Sequence, residues 1–381
     1  MKRTVFLMGI AALAFASCAK DTVTEANRGQ AIDFRVAAQT RAAETTTDNI
    51  TEFAVTALYA SVDAVTSEVT EGDNYFTNAK FEKSANESFF YSNPVYYWPT
   101  EGALNFYAYS PIGLTGVNID KSSKKVTGFA PAAAVEDQVD FIVAKANGDK
   151  SNETNGVYLP FSHELSQIVV KAKNNNEGYK YTVKGFKVVN VVGKGDYDFS
   201  QDAWTLSAAD ADVVSYSVEF ETAKVLTEEA AQSLMDETTE SGSAMLLPQQ
   251  LVAWTKTSKT GTYFAVYAKI QTVSVGDDGA EKLTDVYPKG DAEYGWLAVP
   301  VDTKWEAGNK YSYTLDFTYG AGIDIDNIES GGTGEVFGGP IKFTTEVTPW
   351  TSVQEQTIDK TVTEEDVEEE EDEEPENDPV E

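Results

Sequence analysis

The sequence predicts an all-β protein built from antiparallel β-sandwich domains. In three segments, residues 53–59, 179–184 and 311–318, every second residue is aromatic or aliphatic. This period, with aromatic and β-branched residues, is typical of half-buried antiparallel strands. Glycine-containing turn pairs recur between such segments. Roughly 340 residues follow Arg41, which predicts two domains, with a boundary near residue 150 in the polar stretch Asn147–Asn155.

One segment has a helical pattern. Thr227 is placed as an N-cap with acidic residues in the following turn, so Thr227–Met235 is the predicted short helix. The acidic stretch Asp324–Glu329 lacks the glycine that an EF-hand loop needs at its sixth position. We therefore predict a solvated loop there and no metal site.

The N-terminus predicts export. Lys2 and Arg3 precede an apolar run, Val5–Phe15, whose eleven residues would span about 16 Å as a helix. This is about half the thickness of a bilayer core, so residues 1–17 are interpreted as a secretory signal and not as a transmembrane helix. Small residues lead into the single cysteine, Cys18, in a pattern that resembles a bacterial lipobox, and acylation of Cys18 is predicted. A plain signal peptide with an incidental cysteine is the alternative.

All four arginines lie in the first 41 residues. An arginine-specific protease could therefore remove a pro-segment, residues 18–41, by cutting after Arg41 and leaving Ala42 as the new N-terminus. The alternative is a lysine-biased composition that kept a few arginines by chance. A strand pattern immediately precedes Arg41, with alternate apolar residues at Ile32, Phe34, Val36 and Ala38.

Loss of this strand would leave an apolar groove with unpaired backbone groups, and such an edge accepts a strand from another chain. Burial of its three larger side chains contributes roughly 5–9 kcal/mol. A candidate donor with the same spacing lies near the other end, at Ile341, Phe343, Thr345 and Val347. The alternative is that these four residues form an ordinary last strand, and Thr351–Ile358 is a weaker second candidate.

Composition excludes several function classes. A net charge of −33 argues against nucleic-acid binding. Residues 361–381 are rich in acids and are predicted to be a disordered tail. The only histidine, His163, is expected to be structural, and no phosphate-binding loop is present. We expect no metal, no cofactor and no enzymatic activity. Aromatic residues 96–98 could stack on a sugar but are more typical of a core.

Several local motifs together resemble the fimbrillin family, the lipoprotein precursors of type V pili. They run in order as YYWP at 96–99, LNFYAYSP at 104–111, VDFIVA at 139–144, FSHELSQI at 161–168, LLPQ at 246–249, WEAGNKY at 305–311 and a closing PW at 349–350.

The resemblance implies two β-sandwich domains of transthyretin-like topology, at residues 42–150 and 151–360. It also implies cleavage after Arg41 and assembly by donor-strand exchange, with residues 32–38 as the displaced strand. On this reading the protein is a pilin precursor at the outer membrane and in the fimbrium, and its partners are other fimbrial subunits. The alternative is a non-polymerising surface lipoprotein that binds a glycan or host protein.

Overall fold

The computed structural model describes residues 31–36, 50–62, 69–83, 89–114, 117–120, 124–227, 230–235, 242–334 and 336–349. These residues form twenty-two β-strands, three short 3-10 turns and one α-helix, which confirms the all-β prediction. None of the helices in these ranges is both long enough and apolar enough to span a membrane.

Ten strands belong to the first half of the chain. They are β1 (Phe34–Val36), β2 (Glu52–Val62), β3 (Val69–Glu82), β4 (Tyr91–Ser92), β5 (Ala103–Ser110), β6 (Asn118–Asp120), β7 (Lys125–Phe129), β8 (Ile142–Asp149), β9 (Val157–Leu159) and β10 (Ser162–His163). Six of these form an antiparallel sheet in the order β10-β8-β5-β2-β3-β4. Both of its faces are covered, by different partners.

One face of the six-stranded sheet packs on the pair β1–β9. Buried aromatic side chains fill the space between these layers, among them Phe34, Phe53, Phe81, Phe106 and Phe161. This is the arrangement of a β-sandwich, in which alternate residues of each strand point into the shared core.

The second half of the chain contributes the remaining strands. They are β11 (Ser166–Lys173), β12 (Tyr179–Val192), β13 (Gly195–Asp198), β14 (Ala203–Leu206), β15 (Val213–Val225), β16 (Gln232–Ser233), β17 (Ala244–Leu246), β18 (Tyr263–Val275), β19 (Glu281–Tyr287), β20 (Gly295–Pro300), β21 (Asn309–Asp316) and β22 (Lys342–Pro349). One sheet runs β16-β11-β21-β22 with β17 beside β11, and a second runs β15-β12-β18-β19 with β20 beside β18. The largest core lies between these two sheets.

A four-stranded sheet joins the halves. Its order is β14-β13-β7-β6, so strands from both halves pair within it. It covers the other face of the six-stranded sheet, and a separate core between them includes Tyr107, Phe129 and Tyr197. Leu165 and Met245, from the second half, also belong to this core.

Two features differ from the sequence prediction. The predicted helix at Thr227–Met235 is wrong, because Gln232–Ser233 forms β16 against β11, and Leu234 and Met235 are buried in the large core. The one α-helix of the described ranges, α1, lies instead at Ile325–Glu329, where a loop is predicted, and the Asp324 side chain caps it by accepting a hydrogen bond from the Asn327 amide. At Thr227–Met235 the burial of Leu234 and Met235 outweighed the capping pattern, whereas at Ile325–Glu329 the burial of Ile325 and Ile328 acts together with the Asp324 cap.

The sheets are also not purely antiparallel. Strand β1 pairs with β9 in parallel, and β11 pairs with β21 in parallel. Parallel neighbours come from distant parts of the chain and need long connections, so a local alternation pattern contains no information about them.

Candidate functional site

Strand β1 fills an aromatic groove in the first sandwich. Phe34 is fully buried, and its ring centroid lies 4.7 Å from that of Phe81, 5.0 Å from that of Phe106 and 6.0 Å from that of Phe53. These three rings come from the central strands β3, β5 and β2 and meet Phe34 edge to face, the orientation that aromatic pairs prefer. Phe34 is therefore the anchor of the strand.

The backbone of β1 is paired on both sides. On one side Phe34, Arg35 and Val36 are in parallel register with β9. On the other side the amide of Phe34 donates to the carbonyl of Phe90, at 3.2 Å, and the amide of Phe90 donates back at 2.9 Å. The amide of Ile32 donates to the carbonyl of Tyr96 at 2.8 Å. The strand thus occupies an interior position between two partners and would leave donors and acceptors on both walls if removed.

Polar side chains of this segment lie on its other face. The guanidinium of Arg35 lies 4.1 Å from the centroid of the Phe89 ring, within the range of a cation–π contact. Asp33 is close to Gly156, where an added Cβ would lie 2.5 Å from the Asp33 carboxylate. Burial raises the pKa of Asp33 above its usual value, and the nearby Arg35 charge opposes that effect.

The candidate donor strand, β22, lies at a sheet edge. It pairs only with β21 among the described strands, in antiparallel register. Ile341, just before the strand, is 5 % exposed, and Phe343 is half-buried with its ring 6.0 Å from that of Tyr313. Thr345 and Val347 are exposed, Val347 by 51 %. The strand is thus loosely covered over most of its length.

The two strands share a short sequence. Ile32 and Phe34 are separated by one residue, as are Ile341 and Phe343. The side chains of Ile32, just before β1, and of Phe34 are both buried, with exposures of 1 % and 0 %. Val36, two residues on, packs against the same core and corresponds to Thr345. Residues 341–343 therefore have the same apolar spacing as residues 32–34, but in their own sheet only Ile341 is fully buried.

Other residues singled out from the sequence fall in different places. Cys18, Ala38, Arg41 and Ala42 lie outside the described residues. The structure thus brings Ile32, Phe34 and Val36 together in one groove, places the residues of β22 in another sheet, and leaves the predicted processing positions untested.

His163 is buried, with its Nδ1 atom 2.8 Å from a carboxylate oxygen of Asp140. This contact fits a structural role. Trp98 is 5 % exposed, and Tyr96 stacks on Phe76 at 4.3 Å between ring centroids, so these two aromatic residues belong to the core. Within the described ranges, no three His, Cys, Asp or Glu side chains are grouped as a metal site would require.

The walls of the groove were not identified from the sequence. Strand β9 contributes Val157 and Leu159, both buried, and Phe90 supplies the opposite backbone partner. The alternation of Val157, Tyr158 and Leu159 before Pro160 is a weak strand signal. A three-residue strand is too short for that signal to be distinguished from a loop.

The comparisons with known proteins agree with this architecture. The model of the fimbrillin-like family matches residues 40–350. The chain is 29 % identical over 243 residues to the fimbrium subunit Fim1C of Phocaeicola vulgatus, an alignment that covers 55 % of this chain and 63 % of that protein. The chain therefore spans less than two thirds of that relative's length.

The fold itself is similar to a solved one. The crystal structure of a fimbrial protein from Bacteroides vulgatus superposes with a TM-score of 0.57 at 18 % identity, over 85 % of this chain and 100 % of that one. The family match spans the groove walls, β22 and most of both halves. The family and this relative are both named for fimbriae, which are structural assemblies, and this agrees with the expectation of a non-enzymatic protein. This protein belongs to the fimbrillin-like family.

Proposed function

We propose that this protein is a subunit of a cell-surface fimbrium that assembles by exchange of strand β1. A protease cuts after Arg41, β1 leaves the groove, and β22 of a second copy enters it. The observation that carries this proposal is the seat of Phe34, a fully buried anchor on a three-residue strand that is paired on both sides.

The free energy of burying β1 supports replacement of the strand by another one and not its simple loss. Ile32 and Phe34 together contribute about 3–6 kcal/mol of burial at roughly 1.5–3 kcal/mol each. An empty groove would also leave the Phe90 and Tyr96 backbone groups without the partners they have in the precursor. A groove of this kind binds a donor strand tightly.

Strand β22 is the preferred donor because, among the described strands, it is paired on one side only and most of its side chains are exposed. It breaks one ladder, with β21, and Phe343 is already half-exposed in the precursor. In the groove Ile341 would take the position of Ile32, and Phe343 the position of Phe34. Transfer therefore gains apolar burial, and the recipient is a second copy of this chain or a related subunit.

The names of the relatives support a proposal for location and partners. Fim1C is named as a fimbrium subunit, and we propose the same placement here, with lipidation of Cys18 carrying the precursor to the outer membrane. We also propose that the two larger cores mark two transthyretin-like domains. The pairing of β9 and β10 with strands of the first half supports a boundary beyond His163, later than residue 150.

The test is cleavage of the purified precursor. Treatment with an arginine-specific protease is expected to give a ladder of oligomers on an unboiled denaturing gel. The matched control is Arg41→Lys, which keeps the charge but removes the cleavage site, and it should stay monomeric. A protein cut at Arg41 that remains monomeric would show that exchange is not how this chain acts.

A second function is favoured by one observation. A cleft of about 600 Å3 on the outer face of the second half is lined by Lys187, Tyr263, Trp296 and Asp326, among others. Aromatic and charged side chains around one cleft suit a ligand such as a glycan. A retained surface lipoprotein would keep acylated Cys18 in cells, whereas a polymerised subunit would begin at Ala42. Mass spectrometry of the mature N-terminus distinguishes them.

A further inference from the structure

The segment to be removed contains a second arginine within the groove. Arg35 is the only arginine in the part of the chain that the structure describes. A protease specific for arginine would accept the Arg35–Val36 bond as well as the bond after Arg41. The structure of β1 decides whether the first of these bonds can be cut.

Both residues of the Arg35–Val36 bond are held in the ladder with β9. Arg35 is in register with Tyr158, and Val36 is in register with Leu159. Phe34, directly before them, is fully buried. A protease binds its substrate as an extended strand, so this backbone must leave the sheet before it can enter an active site.

The side chain is engaged as well. The Arg35 guanidinium lies over Phe89 at 4.1 Å. Its Nε atom is buried and has no hydrogen-bond partner among the described residues. An arginine-specific protease recognises this guanidinium in a pocket of its own, so the contact with Phe89 must break first. While β1 is in the groove, the protease can therefore reach neither the backbone nor the guanidinium of Arg35.

We propose that Arg35 is a latent processing site, protected while β1 is seated and cut once β1 has left the groove. This inference rests on the proposed function, which supplies the release. The reaction is hydrolysis: water adds a hydroxyl to the carbonyl carbon of Arg35, the bond to the Val36 nitrogen breaks, and that nitrogen takes the proton.

The second cut would make release irreversible. It separates Phe34, the aromatic anchor, from Val36, which packs against the same core. The fragment that ends at Arg35 keeps Ile32 and Phe34 but loses Val36 and its register with Leu159, so it competes less well with β22 of an incoming copy than the intact strand does. The same protease would therefore start the exchange and weaken the segment that competes with the donor strand.

The experiment follows cleavage at each arginine by mass spectrometry. Full-length precursor and its Arg41→Lys variant are treated with an arginine-specific protease, beside a synthetic peptide of residues 29–41. In the wild type we expect cleavage at Arg41 first and at Arg35 afterwards. In Arg41→Lys we expect Arg35 to be cut at least about 100-fold more slowly than in the peptide, because only unseated strand is cleaved. Cleavage at Arg28 is scored separately, since it leaves β1 attached.

The variant Arg35→Lys tests the consequence. It keeps a cation over Phe89 but blocks the second cut, so released segment persists and oligomers should accumulate at least about twofold more slowly. Equal rates would overturn the proposed irreversibility, and cleavage of Arg41→Lys at Arg35 at the peptide's rate would overturn protection.

Two outcomes distinguish the latent site at Arg35 from strand exchange itself. Oligomers with an uncut Arg35 in the released segment would overturn the inference and leave strand exchange standing. A monomer cut at Arg41 that still holds β1 would overturn both.

Discussion

Truncation of Phe34 is expected to destabilise the precursor and to leave the assembled form unchanged. Phe34 is 0 % exposed and contacts three aromatic rings in the groove. Phe34→Ala leaves a cavity that those rings cannot close without moving, and such truncations cost about 3–5 kcal/mol. In urea this corresponds to a midpoint lowered by about 1 M or more, at an m value of about 3 kcal/mol per M.

The matched variant is Phe343→Ala, and the two should have opposite effects. In the precursor Phe343 is half-buried, so its truncation costs about 1 kcal/mol. In the assembled form Phe343 would occupy the seat of Phe34, and the same truncation would cost about 3–5 kcal/mol. Phe34→Ala should leave assembled oligomers unchanged, because Phe34 is no longer part of them.

The assay is paired. Urea unfolding followed by circular dichroism measures the precursors, and the temperature at which oligomers dissociate in detergent measures the polymers. The reasoning would be refuted by oligomers of Phe34→Ala that dissociate as early as those of Phe343→Ala. An unchanged urea midpoint for the Phe34→Ala precursor would contradict the burial argument itself.

Three further predictions concern the residues around the groove and the junction. Burial raises the pKa of Glu164 to about 7, so the folded state keeps a proton that the unfolded state releases above about 4.5. This contribution to stability is full below about pH 4.5 and is lost as pH rises through 7, by roughly 3 kcal/mol; urea midpoints at pH 5 and pH 8 should differ, and Glu164→Gln should reduce the difference. Gly156→Ala should destabilise the precursor by about 1–2 kcal/mol, because φ is +68° and the new Cβ would lie 2.5 Å from Asp33; calorimetry measures this, and a neutral result would argue against the close contact. Cysteines at Arg35 and Tyr158, neighbours across the ladder, should lock β1 by a disulfide and block oligomer formation on the gel until a reductant is added; oligomers formed without reductant would contradict the lock.

Much of this fold could be predicted from residue patterns. The alternation in Phe53–Tyr59 and Tyr311–Phe317 identified central strands, β2 and β21. The apolar positions of Ile32 and Phe34 are buried as the pattern predicts. These successes share a cause, since a half-buried strand must alternate its side chains whatever its neighbours are.

Other features depend on contacts that no local pattern records. The parallel pairing of β1 with β9 joins residues more than a hundred positions apart. Phe89 and Phe90 line the groove only because β4 and the residues just before it fold back beside β1. The helix at Ile325–Glu329 is five residues long and is fixed by burial of Ile325 and Ile328, so its acidic composition predicted a loop.

The most direct test of strand exchange joins two copies of the protein. One copy carries Tyr158→Cys and the other Thr344→Cys, both in a chain otherwise free of cysteine. If β22 enters in the register of β1, Thr344 takes the place of Arg35 beside Tyr158. A disulfide between the copies is predicted after cleavage at Arg41, with little cross-linking for Glu346→Cys. Equal cross-linking in uncut precursor, or none after the cut, would contradict the central claim.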